Sequence, residues 1–100
     1  MDNHKIAQIL LKIQMDDLND ARMLAEYAHE IADAGDAAVS AAVASRAKAR
    51  LSQMHECTHS VRNVISRMES EGNMPDVYAS LYKTHVEHEG EAIRKLIEVI

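Results

Sequence analysis

The sequence predicts an all-α fold, and three observations carry that expectation. Ala, Leu, Met, Glu, Lys and Arg dominate a chain of 100 residues that is 47% hydrophobic and contains three Tyr, no Phe and no Trp. Those residue types favour helix, whereas the aromatics that favour strands are nearly missing. The helix breakers Gly35, Gly72 and Pro75 fall between long segments and divide the chain into three. The length allows one domain with one core, so a single helical domain over 1–100 is expected.

The first helix is expected at about 3–34, capped by Asp2 or Asn3 and closed by Gly35 as a left-handed residue. Asp36 caps a second helix over about 37–71, which stops at Gly72. A third starts near Pro75, a residue suited to a first helical turn, and runs to about 100. Connections this short make neighbours antiparallel, in an up-down-up bundle. Turned at 100° per residue, the first helix gathers Ile6, Ile9, Leu10, Ile13, Ala21, Leu24, Ala28 and Ile31 on its core side. The second gathers Val39, Val43, Ala47, Met54, Cys57, Val61, Val64, Ile65 and Met68. The third offers Tyr78, Leu81, Tyr82, Ala92, Leu96, Val99 and Ile100, widened by Ile93 and Ile97. Leu11, Met15 and Leu18 widen the first in the same way. Apolar faces this broad predict a homo-oligomer, most simply a dimer that completes a larger bundle.

A net charge of −5 gives no basic stripe for phosphate neutralisation, which argues against a nucleic-acid partner. No apolar run reaches the length of a membrane span, and the N-terminal residues lack a signal-peptide pattern. The single cysteine, Cys57, suits a reducing compartment, so a soluble cytoplasmic protein is expected.

Six histidines, mostly beside carboxylates, are the feature that could carry chemistry, because imidazole and carboxylate bind transition metals. His55-Glu56-Cys57-Thr58-His59 fits the His-Glu-x-x-His pattern of zinc hydrolases, in which the Glu activates water. Such an enzyme also needs a third ligand and a strand to hold substrate, and an all-α chain supplies no strand. His55 and His59 are expected to face solvent in a monomer. His85, His88 and Glu89 lie on the apolar side of the third helix. Counting back through the second turn sets them level with Val61, Thr58 and Cys57, so His85, Glu89 and Cys57 could converge on zinc or form a polar core layer. Asp17 and Asp20 fall level with Gln53 and Arg50, which makes an Asp20–Arg50 ion pair the alternative to metal ligation.

Asp17-Leu-Asn-Asp-Ala-Arg-Met-Leu24, followed by Glu56-Cys-Thr-His59, resembles the ferritin-like superfamily, especially its rubrerythrin-type members. The resemblance implies a carboxylate from one helix and Glu-x-x-His from the next around iron. Asp17 would stand at the first-helix ligand position, with Glu56 and His59 as second-helix ligands. One chain would hold half of the usual constellation, and a dimer would complete it. Asp17, Glu56, His59, His55, His85 and Glu89 are therefore the candidate metal ligands, for iron or zinc. Catalysis is left open. The alternative is a metal-free structural or adaptor bundle that mediates protein–protein contact.

Overall fold

The computed structural model describes residues 2–72, 80 and 82–99, together with the side chains of those residues except Tyr82, Lys83 and His85. The described elements are helices: α1 (Asn3–Asp33), α2 (Ala37–Glu56), α3 (Thr58–Ser70), a π-helical segment (Tyr82–His88) and α4 (Glu89–Glu98). No strand occurs among the described residues. The start of the third predicted helix, with Pro75, Tyr78 and Leu81, lies outside them, as does Ile100.

The two marked helix starts that fall among the described residues are capped by the expected side chains. Asp2 accepts a hydrogen bond from the Lys5 amide at 2.8 Å, and Asp36 accepts one from the Val39 amide at 3.1 Å. Both side chains satisfy amides that the first helical turn leaves without partners. Gly35 turns the chain between α1 and α2 with φ of +96°, and Gly72 follows α3 with φ of +73°. Side chains with a Cβ rarely adopt that left-handed conformation.

The expected single helix over 37–71 is two helices that meet at Cys57. There the Cys57 amide donates to the Met54 carbonyl three residues back, at 3.2 Å, which tightens one turn. Regular bonding then resumes from the Val61 amide to the Cys57 carbonyl.

Contacts between α1 and its neighbours run in opposite order to the sequence of α2 and α3. Ala28 meets Ser40, Asp20 meets Arg50, Gln14 meets Met54, and Asn3 at the head of α1 bonds to Glu71 just past α3. The α4 contacts run in the same order as α1, from Arg22 with Glu89 to His29 with Leu96. The molecule is elongated, with extents of 55 × 21 × 15 Å.

The core face of α1 differs from the expected one. Ala7, Leu11, Gln14, Leu18, Ala21, Ala25 and Ala28 are buried, whereas Ile9 and Ile13 are 40% and 46% exposed. Small side chains allow two helix axes to approach closely, so the alanines took the seam and the isoleucines were left on its flank. On α2 the same preference buries Ser40, Ala44, Ala47, Leu51 and Met54, while Val39 stays outside. Gly90 serves the close approach of α4. A Cβ there would stand 3.3 Å from Met54 Cε and 3.8 Å from Leu18 Cδ2. Ile93 and Ile97 complete the core from α4, and Val99 is largely exposed.

Candidate functional site

The sequence candidates fall into three places. Asp17, 9% exposed, faces α2 and pairs with Arg50, whose Nη2 lies 3.2 Å from its Oδ1. Arg50 also reaches Asp20 at 2.6 Å through Nε and donates to Gln53 at 2.9 Å. One guanidinium thus spans two acids on the neighbouring helix, the arrangement suited to its forked planar geometry. The Asp20–Arg50 pair was legible in the sequence. The inclusion of Asp17 in it was not.

Glu89 opens α4 and accepts from Arg22 at 2.6 Å, so its carboxylate points to α1. Both side chains are more than a third exposed, and solvent weakens such a pair. His55, Glu56 and His59 are exposed around the joint between α2 and α3. The side chain of His85 lies outside the described residues. Among the described residues, no three His, Cys, Asp or Glu side chains gather as a group able to hold a metal ion.

Between these places sits a polar inclusion that the sequence did not announce. Gln14 is fully buried on α1 and donates from Nε2 to the Met54 carbonyl at 3.0 Å and to Thr58 Oγ1 at 3.2 Å. It inserts where the α2–α3 joint disturbs the helix ladder. Its Oε1 finds no hydrogen-bond partner. Cys57 precedes Thr58 at the joint, with Sγ 4.0 Å from the Leu10 carbonyl. Burial raises the Cys57 thiol above its ordinary value, and the Asp17 carboxylate adds to the effect. A thiol held protonated in this way is a poor nucleophile and a poor ligand.

Shallow grooves flank α4. One of about 330 Å³ lies against α2 and is lined by Lys48, Leu51, Ser52, His55, Arg94 and Ile97, with Glu98 at its rim. Arg94 is held by Glu91 and Glu98, which keep its guanidinium charged, and its hydrogen bond to Glu91 lowers that carboxyl. A second groove of about 220 Å³ lies against α1, between Glu26 and Leu96. His29 borders this side and bonds to the Leu96 carbonyl at 2.8 Å, which ties the last turns of α4 to α1.

No protein-family model matches the chain, and neither a curated protein nor a solved structure matches it. No helix among the described residues is long and apolar enough to cross a membrane.

Proposed function

We propose that the chain is an up-down-up helical bundle that works by protein–protein contact, as a structural or adaptor module, and that its partner is a second copy of itself. The observation that carries this reading is the exposed apolar side of α1. Ile9, Ile13, Met23 and Tyr27 are each 40–49% exposed, away from α4. Exposed apolar side chains repeated along one face of a helix mark contact surfaces. The ionised groups nearest the core are occupied by arginines, Asp17 and Asp20 by Arg50 and Glu89 by Arg22.

The test is the concentration dependence of thermal unfolding. Association that requires the folded chain makes the unfolding temperature rise with protein concentration. Ile13→Lys should abolish that rise while far-UV circular dichroism stays helical. An unfolding temperature independent of concentration in the native chain would refute self-association.

A second reading is iron or zinc binding in a ferritin-like arrangement. It is supported by His55 and His59, exposed about one helical turn apart with Glu56 between them. Elemental analysis of tag-free protein decides it. Stoichiometric metal that disappears in His59→Ala supports it, and protein still empty after incubation with iron and zinc overturns it.

A further inference from the structure

Resting on the self-association reading above, we infer that two copies pack α1 against α1, antiparallel, about a two-fold axis at the level of Leu18, on the opposite face of the helix. Ile9, Ile13, Asp16, Asp20, Met23 and Tyr27 recur at alternating spacings of four and three residues. That spacing places them in one stripe along the helix, the pattern of a helix–helix seam. At 1.5 Å per residue the stripe is about 27 Å long. Turned at 100° per residue, it lies on the far side of α1 from Arg22 and His29, which hold α4.

The order of the stripe is apolar, apolar, acidic, acidic, apolar, apolar, and it reads the same from either end. A two-fold axis pairs each position of one copy with its mirror position on the other, so a self-matching sequence of chemistry is what an isologous contact requires. Ile9 then meets Tyr27 of the second copy, Ile13 meets Met23, and Asp16 meets Asp20. The acidic centre carries its own compensation. Asp16, Asp17 and Asp20 of each copy stand with Lys12, Arg46 and Arg50, three acids to three bases. Lys12 holds Asp16 at 2.7 Å, and Arg50 holds Asp17 and Asp20. Arg46 is exposed one turn before Arg50 and has no ion pair among the described residues. In the antiparallel pair it comes within a turn of the level of Asp16 on the second copy, so it can reach across the contact.

Cross-linking reads the register directly. In a Cys57→Ser background, Ile13→Cys and Met23→Cys chains of different mass are mixed, equilibrated and treated with a short bis-maleimide. Both sites are on the surface, and matching circular dichroism establishes that the variants fold. Nearly all cross-linked dimer should be the mixed 13–23 product, instead of the half that random pairing gives. Two 13 positions would stand about 15 Å apart along the axis. Predominant 13–13 and 23–23 products would overturn the antiparallel register and leave self-association standing. A dimeric mass without any cross-link would place the contact on another face and overturn the inference alone. A monomeric mass would overturn both this inference and the reading beneath it.

Discussion

Between Ala21 and Ala28, α1 lies on α2 through alanines. Ala21, Ala25 and Ala28 meet a surface that includes Ala44 and Ala47, all of them at most 7% exposed. Two turns earlier the same helix meets the α2–α3 joint through Gln14, a buried amide with one oxygen unpartnered. The first region is a dry seam held by close approach, in which the polar crossing is the Ser40 hydroxyl donating to the Ala28 carbonyl at 2.6 Å. The second is held by hydrogen bonds that compensate a disturbed helix ladder. The contrast separates two ways of joining helices. Small side chains let backbones approach with nothing between them, whereas a polar inclusion fixes register and leaves an unsatisfied group behind.

Adding volume to the seam should have the largest effect. Ala21→Leu forces a fully buried position apart and should lower stability by about 3 kcal/mol, as read by urea unfolding. A loss under about 0.5 kcal/mol, the size of an ordinary surface effect, would mean that the seam is not close-packed. Next comes the arginine at the edge of the two regions. Arg50→Met leaves Asp17 and Asp20 without their cation and should cost about 2 kcal/mol, less than a fully buried pair because Arg50 is 36% exposed.

The polar region should respond in the opposite direction. Gln14→Met removes the Nε2 bonds to the Met54 carbonyl and Thr58 Oγ1 together with the stranded Oε1 while conserving volume, and should raise stability by about 1 kcal/mol. A loss of similar size would show that Oε1 is satisfied in solution. The smallest effect is at Cys57. Its folded value lies above the ordinary 9.0, so the uncharged thiol is the form the fold favours. The stability this contributes is present at neutral pH and is lost as pH rises past 9.0 and through the folded value. Alkylation by iodoacetamide at pH 8 should be several-fold slower than for an unfolded peptide containing the same residues.

The boundaries of this fold were legible because they depend on local chemistry. Asp2, Gly35, Asp36 and Gly72 act through their own backbone and a turn of neighbours, and each stands where the sequence places it. The core face of α1 was legible in part: Ala21 and Ala28 are buried as the helical angle predicts, whereas Ile9 and Ile13, which outweigh Ala7 and Ala25 on any transfer scale, are not. Which set is buried depends on how closely α2 approaches, a property of two helices together. The break at Cys57 and the π segment have no Gly or Pro to announce them, and the bond from Gln14 to the Met54 carbonyl depends on that break. Of the candidate site, the Asp20–Arg50 pair and the exposure of His55 and His59 followed from register and helical angle. Glu89 followed neither, since its carboxylate is directed by Arg22 on α1.

The central claim is that the exposed stripe of α1 is covered by a second copy. Sedimentation equilibrium of the tag-free chain at about 100 µM, far above the dissociation constant of a micromolar dimer, tests it most directly. The account predicts a mass twice the 11.1 kDa of the chain for the native protein and the chain mass for Ile13→Lys. A native protein that sediments as a single 11.1 kDa species would contradict it.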